Sequence, residues 1–271
     1  MPELPEVETT LRGILPHLRG RRIAALRLRQ PALRWPVPGE LTELLPGQRI
    51  HGGRRRGKYL LFALDHGHLL LHLGMSGSLR IVPADAAAGS HDHFDLAMET
   101  GVLLRFTDPR RFGSLHWVQG PPEAHPLLRS LGPEPLEDAF GGEYLYRHSR
   151  GRRVPIKSFL MDSRVVVGIG NIYANETLYL AGVHPLRAAG RIGAARCERL
   201  AAAAKTVLAE ALAQGGTTLR DFVGGDGKPG YFRQRLRVYG RGGMPCLQCA
   251  RPLREWRLAQ RTTVYCQHCQ R

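Results

Sequence analysis

The sequence lacks long hydrophobic runs: no stretch of about 18 uninterrupted apolar residues occurs in the 271-residue chain, so no membrane-spanning helix is predicted. After Met1 it also lacks the basic-then-apolar order of a signal peptide, so we expect a cytoplasmic protein. Lysine is scarce, with four residues, and acidic residues number 23 against 39 basic ones. A disordered basic tail is excluded, because hydrophobic residues make up 43% of the chain and occur along its whole length.

Arginine is the residue that the chain has in excess. Four lysines among 39 basic residues leave 35 arginines, and the formal net charge is +16. Guanidinium groups bind phosphate through two hydrogen bonds and stack on bases, so the expected partner is a polyanion such as nucleic acid. A GC-rich genome that favours arginine codons is the alternative explanation.

Cysteine is also rare, and four of the five cysteines lie in the last 26 residues of the chain. They form two C-x2-C pairs with 16 residues between them: Cys246, Cys249, Cys266 and Cys269. Two pairs at this spacing can close a tetrahedral four-thiolate site, and in a reducing cytosol zinc is favoured over disulfides. With no ligand position left for water, we predict one structural Zn²⁺ that folds the tail. Cys197 lies in an alanine-rich helical segment and is predicted to be an inert core thiol.

The hydrophobic pattern divides the chain into two parts. Helical spacing over residues 7–18 is followed by short alternating runs up to about residue 118, which predicts a β-sandwich with an amino-terminal helix. Residues 120–143 are rich in Pro and Gly, which predicts a linker. Beyond them, helices are predicted over residues 155–162, 172–180 and 194–214. The fold class is therefore α+β with two domains.

The first residues of the chain could carry covalent chemistry. Removal of the initiator methionine would convert Pro2 into a free secondary amine, and α-amino groups titrate near pH 8. Such an amine can attack an aldehyde-level sugar carbon and form an iminium ion, with Glu3 or Glu6 assisting proton transfer. Alternatively, Pro and Glu here only begin a helix.

Four further segments bear on this choice: residues 56–59 (RGKY), 72–77 (HLGMSG), 108–113 (DPRRFG) and 168–176 (GIGNIYANE). Together with residues 1–9 (MPELPEVET) and the four-cysteine site, they closely resemble the bacterial formamidopyrimidine-DNA glycosylases, also called 8-oxoguanine DNA glycosylases. They run in order from the first residue to the cysteine module, so the resemblance covers essentially the whole chain.

The resemblance implies a bifunctional base-excision repair enzyme, a DNA glycosylase and abasic-site lyase. It would remove 8-oxoguanine and formamidopyrimidines through a Schiff base and cleave the strand by β,δ-elimination. Pro2 matches the nucleophile, Glu3 the acid that assists sugar opening, and Lys58 the lysine of β-elimination. Arg261 matches the arginine of δ-elimination, although a guanidinium is a poor proton donor, so phosphate clamping is its first expected role.

The resemblance also implies contacts with damaged double-stranded DNA whose oxidised base is flipped out of the stack. Met75, Arg110 and Phe112 match the side chains that fill the void and wedge the duplex. His91, Arg153 and Asn171 match further DNA-contact residues, with Lys157 and His72 as lesser candidates. Because Arg152 neighbours Arg153, it could replace it if the register is shifted by one. Residues 217–231 resemble the loop that closes over the flipped base.

The implied domains are a catalytic β-sandwich over residues 1–132, a linker over 133–149, a helix-two-turns-helix domain over 150–237 and a zinc finger over 238–271. We expect a bacterial, nucleoid-associated monomer.

Two alternatives to this function remain. One is an endonuclease VIII-type glycosylase for oxidised pyrimidines, which the residues following Glu3 and the wedge at 110–112 disfavour. The other is a non-catalytic DNA-damage-binding protein, against which the presence of Pro2, Glu3 and Lys58 argues.

Overall fold

The computed structural model describes residues 1–215 and 236–271, which fall into two compact units. The first unit contains Met1–Arg129, and the second contains Ser130–Ala213 with the described residues from 236 onward. In the described part of the chain, no helix has the length and apolar character needed to cross a membrane. The predicted loop over residues 217–231 lies outside the described residues.

The first unit begins with a helix and continues as strands. Pro5 lies in the first turn of that helix, where its missing N–H has no helical partner to lose. The elements are α1 (Leu4–Leu18), β1 (Ile23–Leu28), α2 (Leu41–Leu44), β2 (Gly52–Arg56), β3 (Tyr59–Leu64), β4 (Gly67–His72), β5 (Ser78–Pro83), β6 (Asp92–Met98), β7 (Val102–Thr107) and β8 (Ser114–Val118). A 3-10 turn follows at Pro122–Ala124.

The strands form two antiparallel four-stranded sheets. One has the order β1-β6-β7-β5 and the other β2-β3-β4-β8. Leucine and phenylalanine side chains of both sheets meet in one buried cluster, which also includes the inner face of α1. Burying each such side chain contributes about 1.5–3 kcal/mol to folding. The predicted β-sandwich with an amino-terminal helix is confirmed.

The second unit is helical and ends in a hairpin. Its elements are α3 (Gly142–Ser149), α4 (Ile156–Leu160), α5 (Asn171–Leu180), α6 (Ala194–Ala213), β9 (Arg254–Leu258) and β10 (Arg261–Tyr265), with a 3-10 turn at Ala189–Arg191. The alanine-rich α6 packs against both α3 and α5. The four helices predicted for the chain are present within a few residues of their expected bounds.

The linker predicted over residues 133–149 is partly structured. Its second half is the helix α3, which packs closely on α6: a Cβ placed on Gly142 would lie 2.6 Å from the Glu198 backbone nitrogen. Phe140 and Leu145 are buried on this side. The Pro and Gly content concealed α3 because glycine here permits close packing of two helices, and only two large apolar residues mark the buried face.

Candidate active site and nucleic-acid interface

Pro2 and Glu3 lie immediately before α1 and are held there by the helix. Glu3 is 2% exposed and Glu6 is fully buried. The backbone N–H of Glu3 donates to a carboxylate oxygen of Glu6 at 2.9 Å, and the N–H of Val7 donates to the Glu3 carbonyl at 3.1 Å. Pro2 is buried, whereas Met1 is exposed. The peptide that bears Pro2 therefore has a fixed direction relative to α1, while Met1 stays accessible to removal.

Lys58 lies in the tight turn between β2 and β3. Gly57 before it has φ +59°, a left-handed conformation that glycine adopts without strain. The strand leading into this turn is tied to α1, because Arg55 donates to the carboxylate of Glu8 at 3.1 Å. The start of the helix and this turn are therefore attached to one edge of the sandwich.

His72, a lesser sequence candidate, lies beside Lys58. It pairs with Tyr59 across β3 and β4, and the two ring centroids are 4.7 Å apart. Burial, followed by the positive charges of Lys58 and Arg34, lowers the pKa of His72 to about 4. Its Nδ1 accepts the N–H of Gly74 at 2.9 Å, so in the neutral ring the proton is on Nε2. The site thus combines a lysine with a neutral imidazole donor.

Met75, Arg110 and Phe112 are brought together on two adjoining loops. Met75 is 39% exposed and Phe112 is 40% exposed. The guanidinium carbon of Arg110 lies 4.9 Å from the centre of the Phe112 ring, within cation–π range. The loops touch at Gly74, where an added Cβ would lie 2.4 Å from the Phe112 carbonyl carbon. Two exposed apolar side chains and the Arg110 guanidinium therefore lie on one rim, formed by the loops of Met75 and Phe112. Their role as a wedge stays a prediction.

Asp108 organises that rim, and the sequence analysis did not single it out. The fully buried carboxylate accepts the Ser76 hydroxyl at 2.6 Å and the Gly113 N–H at 2.8 Å. Its backbone N–H donates to the carbonyl of His91 at 2.9 Å. Asp108 therefore connects the loop of Met75, the loop of Phe112 and the exposed His91. Its place at the start of the DPRRFG segment, next to proline, was the available signal.

The second unit holds the remaining candidates. Arg153 is exposed just before α4, and Asn171 is the first residue of α5. The side-chain oxygen of Asn171 has no hydrogen-bond partner among the described residues. Lys157 is different: it is 1% exposed, and its ammonium donates to the Thr262 carbonyl at 2.8 Å. Lys157 is therefore an internal connection to β10 and does not present its charge to solvent.

Arg261 is the exposed first residue of β10, at the tip of the β9–β10 hairpin. The two turn residues Ala259 and Gln260 have φ +46° and +62°, the backbone of a tight two-residue hairpin turn. Trp256 on β9 is 59% exposed and was also missed. It lies between Arg254 and Arg257 in sequence, and an exposed aromatic residue among arginines is the pattern that could have identified it.

The four tail cysteines converge. Their sulfur atoms all lie within 4.8 Å of one another, with Cys246 and Cys269 at 3.9 Å and Cys249 and Cys266 at 3.5 Å. Tetrahedral zinc with Zn–S bonds of about 2.3 Å places sulfurs about 3.8 Å apart, so the thiol set fits such an ion. The backbone N–H groups of Gln248 and Cys269 point at the cysteine sulfurs at 3.4 Å. These four residues could hold a metal ion.

The carboxylate of Glu176 on α5 fixes the chain that leads into the cysteine module. It is fully buried and accepts the N–H groups of Arg237, Val238 and Tyr239 at 2.8–2.9 Å. Burial raises the pKa of Glu176, and these three donors oppose the rise. A carboxylate within the GIGNIYANE segment thus has a structural role.

Comparison with known families gives two matches. The model described as the formamidopyrimidine-DNA glycosylase N-terminal domain matches residues 1–115, and the one described as the formamidopyrimidine-DNA glycosylase H2TH domain matches residues 131–223. Curated relatives include formamidopyrimidine-DNA glycosylases of Alkalilimnicola ehrlichii, 59% identical over 277 residues, and Teredinibacter turnerae, 60% identical over 271 residues. Both alignments cover 100% of each chain.

Solved structures agree with these matches. The MutM (Fpg) protein of Thermus thermophilus is 41% identical with a TM-score of 0.90, covering 99% of this chain and 98% of that one. The Fpg of Lactococcus lactis in a complex with abasic-site DNA is 31% identical with a TM-score of 0.92, covering 99% of both chains. A mutant of that protein in a complex with Fapy-dG DNA gives the same identity and TM-score over 100% of both chains.

Proposed function

The chain belongs to the formamidopyrimidine-DNA glycosylase family, and from that premise we propose that Pro2, freed of Met1, is its nucleophile. The protein is a bifunctional DNA glycosylase and abasic-site lyase that acts on damaged DNA. The observation that carries the residue assignment is the hydrogen bond from the Glu3 N–H to Glu6, which fixes the peptide next to Pro2. A nucleophile must be held in direction to react efficiently.

In the proposed reaction, the Pro2 nitrogen attacks the sugar C1′ and the bond from C1′ to the damaged base breaks. The base leaves with a proton, and Glu3 protonates the ring oxygen as the sugar opens to the iminium ion. Loss of a C2′ proton then expels the 3′ phosphate, and a second elimination expels the 5′ phosphate. Lys58 assists the first elimination, and Arg261 binds the departing phosphate in the second.

Recognition of the lesion is assigned to the first-unit rim. Met75 and Phe112 would occupy the space left by the flipped base, and Arg110 would donate to the orphaned cytosine. His91, Arg153 and Asn171 would contact the DNA backbone. Trp256 and Arg257 of the hairpin would also contact DNA. A single copy of the chain suffices, because one flipped base engages one reactive amine.

We also propose that the metal held by the cysteine module is Zn²⁺. Four thiolates satisfy its preferred number of ligands, so zinc would supply folding energy and leave no position for catalysis. For the functional boundaries we propose a catalytic domain over residues 1–132, a linker over 133–149, a DNA-binding helical domain over 150–237 and the zinc finger over 238–271. The helix α3 lies within the proposed linker and packs on α6 of the helical domain.

Borohydride trapping tests the chemistry. Two end-labelled duplexes carry 8-oxoguanine opposite cytosine or an oxidised pyrimidine, and an intact-mass measurement first establishes that Met1 is absent. We expect a trapped adduct that favours the 8-oxoguanine duplex, and β,δ-cleavage without borohydride. Pro2→Gly should retain DNA binding and lose most of the adduct; undiminished trapping in this variant would refute the assignment of Pro2.

A further inference from the structure

The hydroxyl of Tyr179 reaches into the cysteine module. Tyr179 lies in the last turn of α5, and its oxygen is 3.2 Å from the sulfur of Cys246. Both residues are nearly inaccessible, at 2% and 3% exposure. The ring packs in one cluster with Val238, Leu253 and Val264 of the module. The hydroxyl is therefore shielded from water and lies against the sulfur, next to the backbone N–H of Gln248.

This contact differs in kind from the other hydrogen bonds at the cysteines. The N–H donors of Gln248 and Cys269 come from the two C-x2-C turns themselves, so the backbone of the turns supplies them. Tyr179 is separated from Cys246 by 67 positions and belongs to a helix. A side chain from outside the module thus supplies a donor that the cysteine motif does not specify.

The direction of this hydrogen bond follows from the charge of the site. A divalent ion with four thiolates carries a formal charge of −2, and a buried anion needs donors around it. A metal-bound thiolate has no proton to give, so the tyrosine O–H donates to the sulfur. Groups that orient metal ligands in this way typically change metal affinity by about 10- to 100-fold.

We propose that Tyr179 is a positioning residue for the metal, whose O–H donates to the Cys246 thiolate and retains the ion by lowering the reactivity of that sulfur. The inference deepens the proposed structural zinc site and rests on it. A thiolate that accepts a hydrogen bond is a weaker nucleophile, so thiol reagents attack it more slowly. The same bond attaches the metal centre to α5, which begins at Asn171.

Docking of the module on α5 does not depend on this one bond. The Gln270 side chain accepts the N–H of Cys266 at 2.8 Å and donates to the Val183 carbonyl at 3.0 Å. The N–H of Val264 donates to the side-chain oxygen of Asn175 at 2.8 Å. Tyr179→Phe keeps the ring and these connections, so we expect it to fold with the module in place.

The test uses the full-length zinc-loaded protein and compares Tyr179→Phe with Tyr144→Phe. The control removes a tyrosine hydroxyl that donates to the Val165 carbonyl at 2.9 Å, distant in sequence from the cysteines. Zinc release is followed with a chromophoric chelator after addition of a thiol-modifying reagent, and zinc affinity is measured by competition. For Tyr179→Phe we expect about tenfold weaker zinc binding and faster release. Tyr144→Phe should match the wild type in both.

Cobalt substitution gives a second, spectroscopic readout. Loss of the donor makes the thiolate more electron-rich, so the sulfur-to-cobalt charge-transfer band of Tyr179→Phe should move to longer wavelength. If Tyr179→Phe folds poorly, site-specific 3-fluorotyrosine at position 179 retains a stronger donor and should move the band the opposite way. Zinc retention and spectra equal to Tyr144→Phe overturn the role of Tyr179. A wild-type protein that binds no zinc overturns the zinc site itself, which is a separate result.

Discussion

The ammonium of Lys157 on α4 donates to two successive residues of β10, the Thr262 carbonyl and the Thr263 hydroxyl, both at 2.8 Å. Thr262 directly follows Arg261, the proposed phosphate clamp. The buried lysine therefore sets the position of the strand that bears Arg261. Lys157, which was a lesser candidate for DNA contact on sequence alone, thus stabilises the hairpin with its buried charge.

Lys157→Met should destabilise the protein by about 2–4 kcal/mol, because it removes a charged donor from the buried Thr263 hydroxyl and from the partly buried Thr262 carbonyl. Urea unfolding measures this loss. Lys205→Met is the matched control, since Lys205 donates to the Glu137 carbonyl in an exposed bond of 3.1 Å. The slope of DNA affinity against salt should stay unchanged in Lys157→Met and fall by about one in Arg153→Met. A reduced slope in Lys157→Met would return this lysine to the DNA interface.

Asp108→Asn should weaken lesion excision more than cleavage of a ready-made abasic site. The amide replaces one acceptor oxygen by a donor. Either Gly113 then loses its acceptor, or the Ser76 hydroxyl must reverse its role and leave its own proton unpaired, at a cost of about 1–3 kcal/mol. The loops that bear Met75 and Phe112 are then no longer held in position. Excision should suffer more, because an intact damaged base must be flipped out of the stack, whereas an abasic site has no base to flip. Single-turnover rates on both substrates measure the difference, with the exposed Asp85→Asn as control. Equal slowing on both substrates would contradict a role in base flipping.

Gly74→Ala and Gly101→Ala separate a clash from backbone strain. Both glycines are left-handed, with φ +69° and +79°, but a Cβ on Gly101 meets nothing within 4 Å. We expect about 1 kcal/mol of destabilisation for Gly101→Ala, from the conformation alone. Gly74→Ala should cost at least about 2 kcal/mol more, because its Cβ would strike the Phe112 backbone. Thermal unfolding of the two variants measures both losses of stability. Equal losses would mean that the loops of Gly74 and Phe112 are not in close contact.

His72 makes stability depend on pH. Its pKa is lowered to about 4 in the folded protein, with burial as the largest cause, against about 6.5 when unfolded. The unfolded chain therefore binds more protons between these values, so stability is full above pH 6.5 and falls as pH drops towards 4. The loss between pH 7.5 and 5 should approach about 2 kcal/mol. Urea unfolding across this range should show a smaller pH dependence in His72→Asn, whose side-chain oxygen can still accept the Gly74 N–H.

Much of the fold was predictable because its signals are local. The helical spacing that begins at Val7 and the alternation around Tyr59 and Leu79 each reflect one buried face of one element. The helix α3 was not predicted, because close packing on Glu198 requires glycine at position 142. In a local sequence pattern, glycine indicates a turn or a break in a helix. The identity of α3 as a helix depends on a partner more than 50 positions away.

The residues of the candidate site likewise fall into those that the sequence identified and those that it did not. Residues proposed to act through their own chemistry were found before the structure: Pro2 and the four cysteines from residue type and spacing, and Lys58 from the family resemblance. Residues that act by holding others were not identifiable: Asp108 spans 32 positions to reach Ser76, and Tyr179 spans 67 to reach Cys246. No periodicity or short motif encodes such pairs.

The sequence by itself indicated the candidate amine, the polyanionic partner, the cluster of metal-ligating thiols and the order of helices and strands, because each depends on residue type or on spacing within one element. Only the tertiary structure decided that Lys157 is internal, that Asp108 joins three loops, and that the hydroxyl of a tyrosine of α5 lies against a cysteine sulfur of the tail. These depend on burial and on hydrogen bonds between distant parts of the chain. An ammonium, carboxylate or hydroxyl group has the same chemical structure in solvent and in the core. Its surroundings in the folded protein decide with which groups it forms hydrogen bonds.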